Sequence, residues 1–327
     1  MREVYFIKQN KEKWLGIEQV IQGKIKKNPD DLSSLYINLV NDLSFAQTYY
    51  PKSNTTVYLN HLSAGIFQKI YKTKRVEQNR LVYFFKTEVP LLVYHYRRYL
   101  GYAFLFFILF TLIGVLSAVY DKDFTKIILG EDYVNQTIEN IKSGNAVGVY
   151  QSGSTWGSTI GIIFNNILVG AKLYIYGVTG GIGTLYALLS NSVMLGSFQY
   201  FFYDYGALKD SARGIWLHGV FEIFSMVVEA MCGLILGASI LFPRTYSRFS
   251  SFKNGFRDSF KIFLSTVPFT ICAGIIEGYV TRHALTMPFF MNLIIIFGSL
   301  VVIGFYYFVY PAMVNKKNNN QIHHGIL

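Results

Sequence analysis

Residues 99–119 read YLGYAFLFFILFTLIGVLSAV, twenty-one residues without a charge. As a helix rising about 1.5 Å per residue, this run is long enough to cross a hydrocarbon core about 30 Å thick. Arg97-Arg98 precede it and Asp121-Lys122-Asp123 close it. One such run predicts a membrane helix, and further runs follow. Ile215–Phe242, Ile262–Val280 and Phe289–Tyr310 are each apolar over a span's length. The tract 160–203 is far too long for one crossing and is broken by Asn165-Asn166, Lys172, Gly180-Gly181 and Asn191. It reads either as two spans with a tight turn near Gly180–Thr184 or as one helix followed by a broken or re-entrant piece at Asn191.

The loops choose between these readings. Arg244, Arg248, Lys253, Arg257 and Lys261 crowd one loop region, and Lys316-Lys317 follow the last span. The segment after the first span is acidic, with Asp121, Asp123, Glu131, Asp132 and Glu139 against Lys122, Lys126 and Lys142. Basic loops stay in the cytoplasm. Two crossings of the 160–203 tract put every strongly basic loop and both termini inside, so the expectation is about six spans in a bacterial inner membrane. A labelled cysteine at Ser154 should then be external and one at Ser251 cytoplasmic.

Composition agrees. Of 327 residues 52% are hydrophobic and only 15% charged, and 25 Tyr and 28 Phe suit repeated contact with the lipid headgroup region. The net charge of +11 sits beside apolar runs, which points to topology and anionic lipid, not to nucleic acid. Cys232 and Cys272 both lie in apolar runs and read as small core residues. The opening MREVYFIKQNKEKW has no continuous apolar stretch, so an internal span is expected to direct insertion.

The fold class expected is all-α: a polytopic helical bundle. Residues 1–80 form a cytoplasmic helical region, with Leu35, Tyr36, Leu39, Val40 and Leu43 recurring on one helix face and Pro51 ending that helix. Residues 81–97 are aromatic and apolar but carry Lys86, Glu88, Pro90 and His95. They read as an amphipathic helix, either in the membrane interface or packed on the preceding helices. Residues 98–312 form the membrane bundle with an extracytoplasmic loop at 120–157, and 313–327 a disordered tail.

Polar groups inside spans cost about 2.5–3.5 kcal/mol each when charged, so they pair, stay neutral or work. His218, Glu222 and Glu229 lie on one predicted helix. At about 100° per residue, Glu222 is about 40° and Glu229 about 20° around from His218, so the three share a stripe. Glu277 in the next span, with Asn165, Asn166 and Lys172 from the earlier tract, are candidate partners. The cluster reads as an ion or proton path, a binding site, or hydrogen-bonded glue between helices. His218-xxx-Glu222 lacks the third protein ligand a zinc site needs, so no metal is assigned. Gly177/Gly181, Gly233/Gly237 and Gly274/Gly278 are each four apart and favour close helix approach. Walker, HExxH, CxxC and GxSxG signatures are missing, so no catalytic residue and no cofactor is assigned.

Several stretches together resemble the stage II sporulation protein M family of bacterial membrane proteins. They are Asp31–Lys52, Tyr58-Leu-Asn-His-Leu62 with Ile70-Tyr71, Asn165-Asn166 with the Gly-rich span, Asn191 with Leu195-Gly196, His218-Gly219-xx-Glu222 and Ile275-Ile276-Glu277-Gly278. The resemblance implies a membrane scaffold. In spore formers the founding member acts with peptidoglycan-degrading partners during engulfment. Similar proteins in other bacteria are often encoded near a MoxR-type AAA ATPase and an RDD-type membrane protein. The functional expectation is a non-enzymatic assembly factor of the cell envelope, its partners being the bilayer and envelope proteins or an AAA ATPase system, with a homo-oligomer left open. The alternative is an ion- or proton-coupled transporter or channel using the His/Glu groups. A third reading is an intramembrane hydrolase using Glu222 and His218.

Overall fold

The structure is a computed structural model that describes residues 2–25, 27, 29–71, 79–144, 148 and 155–324. Every regular element among them is helical. The chain divides into two compact units, Met1–Gln78 and Asn79–Leu327.

The first unit is three helices, α1 (Glu3–Ile21), α2 (Pro29–Tyr49) and α3 (Asn54–Tyr71). Phe6, Trp14, Ile17, Leu39, Ala46, Leu59, Leu62 and Ile66 close its core, with Leu35, Tyr36 and Leu43 packed against it. The helical spacing of α2 therefore does what it predicts. Each fully buried large apolar side chain stabilises the unit by about 1.5–3 kcal/mol. Trp14 Nε1 donates to Asp42 Oδ2 at 2.8 Å, and Lys13 pairs with the same carboxylate, whereas the buried Ser63 hydroxyl has no partner among the described residues. Pro51 ends α2, and Glu3 ties α1 to the start of α3 by accepting from Ser53 and from Thr55 Oγ1. Lys72-Thr73-Lys74-Arg75, which reads as a polar turn after α3, lies outside the described residues.

The second unit begins with α4 (Arg80–Tyr83), a π-helical turn at Phe84–Glu88 and α5 (Val89–His95). Its membrane part is α6 (Arg97–Tyr120), α9 (Thr155–Ile175), α10 (Ile182–Asp204), α11 (Leu208–Leu241), α12 (Arg248–Ile275) and α13 (Phe289–Gly304). Two short helices, α7 (Lys122–Leu129) and α8 (Glu131–Lys142), follow α6, and α14 (Tyr310–His324) continues α13 after a π-helical turn.

Among the described residues, five helical segments are long and apolar enough to cross a membrane: Arg97–Tyr120, Thr159–Thr179, Leu208–Leu241, Arg248–His283 and Phe289–Asn320. Helix α10 has 23 residues, about 34 Å at the helical rise, but Ser190, Asn191, Ser192 and Gln199 lower its hydropathy. It nevertheless runs the same course, as end-to-end contacts show. Lys122 just past α6 pairs with Asp204 at the end of α10, so these two helices run parallel. The start of α10 lies against Gly237 and Leu241 at the end of α11. The start of α12 returns along α11, with Ser251 Oγ donating to the Ser239 carbonyl. At the opposite end, Arg213 of α11 donates to the Met287 carbonyl ahead of α13. The six helices thus alternate in direction. Arg97, Arg98, Arg244 and Arg248 gather at one end, and α7, α8 and the 281–288 segment at the other.

The 160–203 tract is two helices. Gly180 and Gly181 both take left-handed backbone angles, φ 75° and 89°, and reverse the chain. Only glycine does this without penalty at consecutive positions. Helix α11 is the hub and touches α6, α9, α10, α12 and α13. By contrast, α6 and α13 turn Leu105, Ile108, Leu112, Leu116, Ile294 and Val301 outward, and an apolar face of that kind suits lipid contact.

Two expectations need correction. The tail was expected to be disordered from residue 313, but α14 is helical to His324, because no proline or glycine interrupts 312–324 and Asn, Lys and Gln tolerate a helix. The amphipathic segment is not one helix. The π-turn splits it, and its apolar side faces the membrane bundle, with Val89 and Val93 in the main core. Tyr306 and Tyr310 hydroxyls donate to the Phe85 and Lys86 carbonyls, next to Pro90, which has no N–H to offer them, and Lys261 pairs with Glu88 at 2.6 Å.

Candidate functional site

Helix α11 carries the stripe foreseen in the sequence. His218, Glu222 and Glu229 all line one cavity of about 450 Å³. Asn165 and Asn166 of α9, Asn191 and Phe198 of α10, and Thr270 of α12 complete much of its wall. Glu277 joins from a π-helical turn at Ile276–Val280, directly after α12. Leu129 of α7 and Tyr133 of α8 lie over it, so the cavity sits in the half of the bundle nearest those two helices.

His218 is 3% exposed. Its Nδ1 lies 3.0 Å from Thr281 Oγ1, and that hydroxyl donates to the Ile276 carbonyl at 3.3 Å. The Thr281 hydroxyl therefore holds the Nδ1 side of the ring and turns Nε2 toward Glu277. Nε2 lies 4.0 Å from Glu277 Oε2. One imidazole nitrogen of His218 and one oxygen each of Glu222 and Glu277 all lie within 4.8 Å of one another. Glu229, two helical turns from Glu222, is 4% exposed and accepts from Thr266 Oγ1 at 2.8 Å. It fits only because Gly170 of α9 lacks a side chain: a Cβ there would lie 2.6 Å from Glu229 Oε1.

The structure thus brings together His218, Glu222, Glu229, Glu277 and Asn166, with Asn165 at the exposed rim donating weakly to Asn166 Oδ1 at 3.5 Å. Lys172 stays exposed on α9 and is not among the lining residues. The sequence reading missed Thr281, Thr266 and Gly170, and the α7–α8 cover. A β-branched hydroxyl inside an apolar run was the available signal for the two threonines. Among the described residues the lining supplies no serine or cysteine, so the cluster can hold a cation or a hydrogen-bonding group but offers no such nucleophile.

The glycine pairs pack helices around this site. Gly177 meets the backbone of Gly233, Gly237 meets Gly180-Gly181, Gly274 lies on Ile163, and Gly278 lies on Thr159.

Fold and site together define an all-α polytopic membrane protein with a polar cavity between its helices. The stage II sporulation protein M family model matches residues 103–282, more than half of the chain, and the protein belongs to that family. Residues 4–72, nearly the whole first unit, match a separate family described as Domain of unknown function (DUF8413). No curated protein and no solved structure matches the chain.

Proposed function

We propose that the protein is a non-enzymatic scaffold of a bacterial cell-envelope complex, held in the cytoplasmic membrane with both termini inside, and that its N-terminal helical unit recruits partners. One observation carries this reading. The first unit has its own aromatic core, matches a family of its own, and yet leaves Val4, Tyr5, Tyr49 and Val57 exposed around the end where Glu3 joins α3. Leu15, Ile25, Ile37 and Phe67 are exposed elsewhere on the same unit, and apolar surface of this extent suits protein contact. The basic groups at one end of the second unit support the orientation.

The test is mass spectrometry of what co-purifies with full-length tagged protein from native membranes in mild detergent. Stoichiometric envelope or AAA-type partners are expected, and they should be lost from the Val4→Glu, Val57→Glu double variant. A clean homo-oligomer from native membranes would reject the scaffold reading. A second reading, an ion- or proton-coupled transporter, is favoured by the 450 Å³ cavity with its three carboxylates. It expects Glu222→Gln to abolish liposome flux at normal expression.

A further inference from the structure

We infer that His218, Glu222 and Glu277 form a site for one divalent transition-metal cation, of the Zn²⁺ class, bridging α11 to the π-turn after α12. The inference stands apart from partner recruitment and holds or fails without it.

Ligand chemistry comes first. One neutral imidazole and two carboxylates are an N/O set that suits zinc, and three protein ligands with an open position facing a cavity are the arrangement of accessible zinc sites. The imidazole disfavours Mg²⁺ and Ca²⁺, which take oxygen ligands. Charge comes next. Two carboxylates and a divalent ion sum to zero, which removes the large penalty of burying either alone in a low-dielectric bundle.

Geometry is close to what binding needs. Ligands about 2.1 Å from a tetrahedral ion lie about 3.4 Å apart. The three donor atoms here lie within 4.8 Å of one another, so rotation of the two glutamate side chains by about an ångström closes the set. The histidine is already oriented. Thr281 holds Nδ1, which aims Nε2 at Glu277, and metal-bound histidines are oriented by just such a partner on the other nitrogen. The π-turn is what carries Glu277 to α11, and single π-turns recur at functional sites. A separate observation also points to an occupant. The Asn166 Nδ2 in the cavity wall is buried and meets no acceptor among the described residues, although it could serve a metal-bound water or anion.

The experiment uses full-length protein in detergent, stripped with a chelator, then titrated with Zn²⁺ alone by calorimetry and checked by elemental analysis. About one Zn²⁺ per chain is expected, with millimolar Mg²⁺ failing to compete and with Co²⁺ giving the visible bands of a four- or five-coordinate site. Glu222→Gln and Glu277→Gln, monodisperse and with unchanged helicity, should lose binding. His323→Ala, His324→Ala in the tail should keep it. Thr281→Val, which touches no metal, should weaken affinity about 10–100-fold. Wild-type protein that takes up neither Zn²⁺ nor Co²⁺ overturns the inference, as does binding that disappears with the tail histidines. Should the glutamate variants not come out monodisperse, Thr281→Val decides, and an affinity equal to wild type there also overturns it.

Discussion

Gly177 and Gly233 meet backbone to backbone: a methyl group on Gly177 would lie 2.8 Å from the Gly233 Cα. The two helices cannot part locally, because Gly237 is pressed onto Gly180-Gly181 a turn away. Overfilling such a contact costs about 1–3 kcal/mol. Gly177→Ala and Gly233→Ala should therefore lower the melting temperature in detergent by several degrees. Gly219→Ala supplies the control. The nearest atoms to its added methyl are Ile223 and Ile215 carbons at 3.8 and 3.9 Å, so it should be neutral, or stabilise by up to about 1 kcal/mol through reduced backbone freedom. Equal melting temperatures for Gly177→Ala and Gly219→Ala would show that close packing is not what α9 and α11 depend on.

Glu3 predicts an acid sensitivity of the first unit. Hydrogen bonds from Ser53 and Thr55 hold its carboxyl below the usual value of 4.5. A depressed carboxylate pKa means the folded state favours the ionised form. That contribution is complete above pH 4.5 and is lost as pH falls through the lower, folded-state value. Hydrogen exchange of 3–21 in full-length protein should be faster in Glu3→Ala than in wild type at pH 6–7. The difference should shrink as the pH is taken below 4.5. A difference that persists undiminished at pH 3 would assign the effect to lost packing.

Much of this architecture was legible because membrane helices must satisfy their backbone internally, which makes spans long, apolar and easy to see. The His218–Glu222–Glu229 stripe was legible for a related reason: all three ride one regular helix, so 100° periodicity places them. Glu277 was visible only as a candidate, since a π-turn at Ile276–Val280 re-aims it and no periodicity announces such a turn. Thr281 is 63 residues from His218, and only tertiary packing joins them. Helices α7 and α8 were read as loop because their charges dominate any short-range count, yet Thr125 and Val134 are buried. The exposure of Lys172 was equally hidden, for a lysine within an apolar run can face a cavity or reach outward along lipid.

The Lys261–Glu88 pair tests how the segment before the first span is held. Its nitrogen and oxygen are 2.6 Å apart, with side chains 29% and 33% exposed. Partly exposed pairs contribute about 0.2–1 kcal/mol, discounted by screening. A double-mutant cycle with Glu88→Gln and Lys261→Met should return a coupling in that range, shrinking with added salt. Tyr306→Phe should cost more, about 1 kcal/mol, because the part-buried Phe85 carbonyl loses its donor where Pro90 has no N–H to replace it, whereas Tyr310→Phe breaks an exposed bond that water can replace and should cost less. Hydrogen exchange of 84–89 reads both effects locally.

The basic end of the bundle predicts its orientation across the membrane. Arg97, Arg98, Arg248 and Lys253 lie at the end where α11 turns into α12, while α7 and α8, with Asp123, Glu131, Asp132 and Glu139, lie at the other. Moving lysine and arginine to the outer side is the disfavoured arrangement, and the first span with its Arg97-Arg98 sets the direction for those that follow. Single cysteines at Tyr246 and Ser143, both exposed, in a Cys232→Ala, Cys272→Ala background report on the two ends. A membrane-impermeant maleimide applied to intact cells should label Ser143→Cys and spare Tyr246→Cys until the cells are opened. Ser154 falls outside the described residues, so Ser143 at the end of α8 takes its place. Labelling of both positions from outside would mean an even number of crossings between them, and would remove α10 from the set of spans despite its course parallel to α6.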